Sequence, residues 1–216
     1  MNWLRGHLDD LEALVARTAT ARDLPVAYVE KDFWVTEVLR AATAGRVVAM
    51  PDGSTAPVRF LFKGGTSLSR VFGIVARFSE DVDLLAVFHD GATPNARHKI
   101  LKQVDADVTA HLGLGRHDVT VGSSTTGVKR YTTYHYPTRR HDDGVKEGVL
   151  LELGSRGGTH PATRRPYRSM VADHAIAELG ETEDTWGEFA AFQVEVLAPE
   201  RTLLEKIAAV HDAAVR

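Results

Sequence analysis

Apolar residues in the first part of the chain recur at helical spacing. Leu4, Leu8, Leu11, Leu14 and Val15 fall on one face of a helix that the pattern places over about Asn2–Thr20. A second helical stretch opens at Pro25, carries Val29, Phe33, Val35 and Leu39, and ends before Gly45. The period then shortens. Arg46–Met50 and Val58–Phe62 read as strands around a turn at Pro51-Asp52-Gly53. Phe62 leads into Lys63-Gly64-Gly65-Thr66-Ser67, after which Leu68, Val71 and Phe72 read as a short helix. Asp81–Phe88 is a strand that is apolar apart from its acids. A further helix spans about Ala96–Leu112, and strands follow at Val119–Val121, Lys129–Tyr136 and Val149–Leu153. Ser155–Arg168 is rich in Gly, Pro and Arg and reads as an exposed loop. Pro199 starts a last helix that continues over Glu200–Val215. Strands and helices mixed in this order predict an α/β or α+β domain.

Composition narrows the class. A chain of 216 residues, 44% apolar, can bury a core as one domain. We read residues 1–45 as an N-terminal helical part, 46–198 as the core and 199–216 as a C-terminal helix. With no cysteine, neither a disulfide framework nor a thiolate zinc site is available. The first twenty residues interleave charge with apolar positions, so they are not a signal peptide, and no run approaches the length of a membrane span. A cytoplasmic protein with no membrane partner is expected. The net charge of −3 hides an asymmetry. Lys129–Arg168 holds nine Lys or Arg against four acids, which makes that segment +5 and the remainder −8. A local basic surface suits a polyanion, although solvated loop charge with no partner has the same composition.

The chemistry concentrates in Lys63-Gly-Gly-Thr-Ser-Leu-Ser-Arg70 and Arg77-Phe-Ser-Glu-Asp-Val-Asp-Leu-Leu85. Successive strand residues face opposite sides, so Asp81 and Asp83 share one face while Val82 and Leu84 face the core. Two residues advance about 6.5 Å along a strand. Carboxylates at that spacing can converge on one hard cation or bridge two ions about 3.5–4 Å apart. Two like charges on one buried face otherwise repel, and Lys63 and Arg77 are the nearby cations that could stand in for a metal. Gly64 and Gly65 lack Cβ atoms, so their backbone can approach phosphates, and the helix start after them presents free N–H groups. Thr66 and Ser67 add hydroxyl donors. A GG turn alone is usually only a tight turn, and D-x-D alone is usually surface. Strand–GG[TS]–helix–strand carrying D-x-D is more specific and points to a nucleotidyltransferase site.

These blocks, with Pro199-Glu-Arg-Thr-Leu-Leu-Glu-Lys-Ile207 and Val29-Glu-Lys-Asp-Phe-Trp-Val-Thr36, resemble the AbiEii/MenT group of nucleotidyltransferase toxins. The resemblance spans nearly the whole chain. It implies a DNA-polymerase-β-like nucleotidyltransferase fold, with N-terminal helices and a C-terminal helix, and Mg²⁺-dependent transfer of a nucleoside monophosphate. It also implies a toxin–antitoxin pair with a cognate antitoxin, and an RNA acceptor such as the tRNA 3′ end. Asp81 and Asp83 match the metal-binding acids, Gly64, Gly65, Thr66 and Ser67 the phosphate loop, and Lys206 a lysine needed for activity. Ser79 matches a serine that antitoxins phosphorylate in some relatives. Glu152, on Val-Leu-Leu-Glu-Leu, is the candidate third acid and metal ligand; a salt bridge to a loop arginine is its structural alternative. For Lys206 the alternative is plain helix surface. The family's pattern continues with an R-D-x-x-D-L-like segment some fifteen residues after the EKI block. This sequence ends at Arg216, which leaves truncation, a short member or a substitute acid as the expectation.

Other signals are weaker. Arg156, Arg164, Arg165 and Arg168 suit phosphates along an RNA backbone. Tyr131, Tyr134 and Tyr136 with His135 could stack on bases, though aromatics at strand spacing usually pack. The ten histidines show no HxH or HExxH spacing. The expectation is therefore transfer of a nucleoside monophosphate from an NTP to RNA. Transfer to a protein or small-molecule hydroxyl, or an inactive module that only binds RNA or a partner, are the alternatives.

Overall fold

The computed structural model describes residues 2–75, 79–138 and 144–214; in the last helix the side chains of residues 205, 206, 209, 210 and 212–214 lie outside that description. The opening helix is interrupted. A 3-10 turn at Leu4–Gly6 precedes α1 (Leu8–Arg22), because the Glu188 carboxylate accepts the N–H groups of Leu4 and Arg5 at 2.8 and 3.1 Å and fixes the chain there. α2 (Val26–Ala42) follows Pro25, then β1 (Arg46–Ala49), β2 (Thr55–Lys63), α3 (Gly64–Arg70) and β3 (Val82–Val87). α4 (Pro94–Leu112) starts where the Thr93 hydroxyl accepts the Ala96 N–H, with Pro94 in the first turn, and stops at Gly113 in the left-handed region. β4 (Val119–Thr125), β5 (Lys129–Tyr134), β6 (Val149–Gly154), β7 (Ala162–Tyr167), α5 (Met170–Glu178), β8 (Phe192–Leu197) and α6 (Pro199–Ala214) complete the order.

Among the described residues eight strands form one mixed sheet in the order β4-β5-β6-β3-β2-β8-β7, with β1 paired to the start of β2. The β3–β6 and β2–β8 pairs are parallel, and the others are antiparallel. Alternation sorts the two faces. Phe60, Phe62, Val82, Leu84, Leu151, Leu153, Val194 and Val196 point to one side and bury with Phe33, Trp34 and Val38 of α2 and Leu101, Val104 and Val108 of α4. The other side carries Lys63, Asp83, Glu152 and Tyr131, with a small apolar cluster of Leu61, Leu85 and Leu197 beside them. The helices cover one face and leave the polar row on the other.

Two expectations are corrected here. Residues 162–167 of the expected Arg-rich loop form the edge strand β7, because β8 supplies an antiparallel partner. Pro166 is tolerated since an edge strand pairs on one side only. Residues 169–198, for which the apolar pattern predicts no element, hold α5 and β8. No described helix is long and apolar enough to cross a membrane.

Candidate active site

The polar row is set by strand register. Lys63 of β2 pairs with Asp83 of β3, Asp83 with Glu152 of β6, and Glu152 with Tyr131 of β5. Paired residues share a face, and neighbouring strands lie about 4.8 Å apart, so Asp83 and Glu152 stand side by side. Burial, then the charges of Glu152 and Asp83, push the Tyr131 hydroxyl above its ordinary pKa; a hydrogen bond to Glu152 works in the same direction. The tyrosine thus belongs to the acids rather than to a packed aromatic stripe.

Directly after Lys63 the chain turns into α3 through Gly64, at φ +79°. A Cβ at Gly64 would lie 1.9 Å from Asp83 Oδ2, so glycine is required by conformation and by the carboxylate that fills its place. Thr66 and Ser67 differ from expectation. Both are buried, and their hydroxyls serve the scaffold. Thr66 Oγ1 donates to the Asp81 carbonyl at 2.6 Å and lies 3.0 Å from Ser79 Oγ, while Ser67 Oγ donates to the Gly64 carbonyl at 2.9 Å. Ser79 thus faces Thr66.

Asp81 sits one residue before β3 rather than inside it. Lys146 reaches it from the β5–β6 connection, with Nζ 3.5 Å from Asp81 Oδ2. Behind them lies Lys31 of α2, whose side chain is 1% exposed. Its ammonium donates to the carbonyls of Lys146 (2.6 Å) and Gly148 and stands 3.3 Å from Glu80 Oε2. Three acceptors match the three protons of a lysine. Burial draws the Lys31 pKa down, and Glu80 and Asp81 oppose that. The next residue, Asp32, binds Arg70 at the end of α3 and accepts the Met170 N–H at the start of α5 at 2.7 Å. Burial works against the charge on Arg70, but Asp32, with Tyr167 and Asp173, together outweigh it and hold the guanidinium above its ordinary value. Lys31, Asp32 and Lys146 were not assigned from sequence. The available signal was Glu30-Lys31-Asp32, three consecutive charges within a helix whose neighbours are apolar, where burial demands partners.

The carboxylates are hard oxygen donors of the kind Mg²⁺ takes. They are not gathered into a finished cage: among the described residues no three Asp, Glu or His side chains group closely enough to hold an ion. Asp83 and Glu152 are adjacent, and Asp81 is turned toward a cation already at hand, Lys146.

The remaining candidates scatter. Arg164 pairs with Glu195 and shares the face of Asp83, three strands away, or about 14 Å by strand spacing. Arg165 points to the opposite face, and both are exposed. Arg156 is exposed on the β6–β7 connection. Arg168 turns back onto Asp173 and Glu183, each at 2.9 Å, so it ties down α5. Arg77 lies outside the described residues, as does the side chain of Lys206 on α6.

Residues 53–216 match the family model for the nucleotidyl transferase AbiEii toxin of type IV toxin–antitoxin systems. The chain belongs to the AbiEii family. No curated protein matches it. As an AbiEii nucleotidyltransferase toxin it implies an antitoxin partner, and the matched span contains the glycine turn, the three acids and Lys146. The match starts within the β1–β2 connection, so α2, with Lys31 and Asp32, precedes it.

Proposed function

We propose that this AbiEii toxin transfers a nucleoside monophosphate from an NTP to an RNA acceptor, the 3′ end of tRNA foremost, and thereby blocks translation in the cytoplasm. The observation that carries the reading is Asp83 beside Glu152 on adjacent parallel strands, with the Gly64 turn packed against Asp83. Asp81, Asp83 and Glu152 would hold Mg²⁺, which when bound supplies charge neutralisation on the phosphates and a more acidic acceptor hydroxyl. The amides at the start of α3 lie next to Asp83 and suit phosphate oxygens, as helix starts do. Lys63, Arg77 and Lys206 add positive charge for the nucleotide, and Arg156 and Arg164 offer phosphate contacts to the acceptor strand. No side-chain nucleophile is needed, because the acceptor brings its own hydroxyl.

The test is incubation with Mg²⁺, each labelled NTP in turn and total bacterial RNA, with and without EDTA. Label on RNA of tRNA size that EDTA prevents is the expected result, and Asp83→Asn should abolish it. Label on protein or on a small molecule would move the acceptor. A folded protein that labels nothing would make the chain a binding module and overturn the proposal.

A further inference from the structure

Lys146 combines a fixed backbone with an exposed side chain. Its N–H donates to Glu80 Oε2 at 2.9 Å, its carbonyl accepts from buried Lys31 at 2.6 Å, and the Gly148 carbonyl accepts from the same ammonium. The connection is thus clamped to α2 and to the residue before Asp81. The Lys146 side chain, in contrast, is 69% exposed, and among the described residues it meets Asp81 at 3.5 Å. An exposed ion pair of this kind contributes little to stability. A long cationic arm anchored at the edge of an acidic site, and weakly held there, is placed to exchange partners.

We propose that Lys146 is a triphosphate-binding residue that rests on Asp81 while the site is empty and moves to the phosphate oxygens of the incoming NTP. This rests on the nucleotidyltransferase reading given above. Were Asp81 engaged as a metal ligand, the lysine would lose its carboxylate partner, and the tetra-anionic triphosphate would offer it oxygens in exchange. The compact ammonium on a flexible stem suits phosphates whose positions shift during binding. Lys31 acts through it as a positioning residue by fixing where the arm begins.

The experiment titrates a non-hydrolysable NTP analogue with Mg²⁺ into wild type, Lys146→Ala and Lys146→Arg, and measures KM for NTP and kcat in parallel. Lys146→Ala should weaken analogue binding and raise KM by about tenfold or more, as loss of a charge-assisted hydrogen bond does. Lys146→Arg should recover part of both, and melting temperatures should agree because the side chain is exposed. Analogue affinity and KM equal to wild type in Lys146→Ala would overturn the proposal. Tighter analogue binding would overturn it too and make the lysine a plug on Asp81. A wild-type protein that binds no NTP removes the nucleotidyltransferase reading together with this one; normal binding unchanged by Lys146→Ala removes this one alone.

Discussion

Gly64 has no Cβ, and the place one would take is filled by the Asp83 carboxylate. Gly64→Ala would set its new carbon against Asp83 Oδ2, at a left-handed φ that costs an L-residue roughly 1–2 kcal/mol by itself. We expect a lower melting temperature and loss of transfer, with Asp83 displaced; an alanine variant with wild-type activity would show that the carboxylate does not need that place. Asp81→Asn should behave differently. Its partner Lys146 is exposed, so the melting temperature should stay the same or rise slightly as one of the clustered negative charges disappears, while transfer falls to background. Near-normal transfer by this variant would remove Asp81 from the metal set. Ser79, 3.0 Å from Thr66 Oγ1, is the third test. A phosphate there adds roughly −1.5 to −2 charge beside Asp81. Ser79→Glu should therefore abolish transfer and Ser79→Ala should keep most of it, read in the same labelling assay. At this scale the sequence marked candidate residues but not their orientation. Thr66 and Ser67 looked like ligand donors and turned out to be buried struts, because nothing in a one-dimensional pattern says which way the hydroxyls of a short helix turn.

Elements explain why the opening helices matter to a site they do not enter. α2 places Lys31 and Asp32 next to each other, and through them holds the β5–β6 connection, the end of α3 and the start of α5. Lys31→Met should keep the apolar packing but release residues 145–148, visible as faster amide hydrogen exchange there. Unchanged exchange would mean that Glu80 alone holds the connection. β7 allows a cleaner division. Arg164 shares the face of Asp83 and Arg165 does not. Arg164→Glu alone should weaken RNA binding and lower its salt slope by about one unit, while Arg165→Glu should do neither; equal effects would place the acceptor along the sheet edge instead of across its face. Helices with strong apolar periods, such as α4, were legible within a few residues. β7 and β8 were not, since Arg164, Arg165 and Pro166 read as loop until a partner strand is known to lie beside them.

The molecule as a whole divides labour between the sides of its sheet. Helices bury one side into a core, and the other is left polar along a line from Lys63 to Tyr131. The mixed α/β class followed from the order of elements alone. The line of residues did not, because Asp83 and Glu152 become neighbours through a parallel pairing, and parallel register is set by packing rather than by a turn. That pairing also has a temporal consequence. α4 and the β4–β5 hairpin must be made before β6 can dock on β3, and the other parallel contact, β2 with β8, closes later still. Contacts between such distant segments form slowly. Under the proposed chemistry a ribosome making this toxin therefore carries an inert chain until β6 has emerged, and a fragment ending before Val149 should leave cells growing. Activity would begin only after both β6 and β8 have been made and paired, so an antitoxin that recognises the assembled site has chains carrying both strands to intercept.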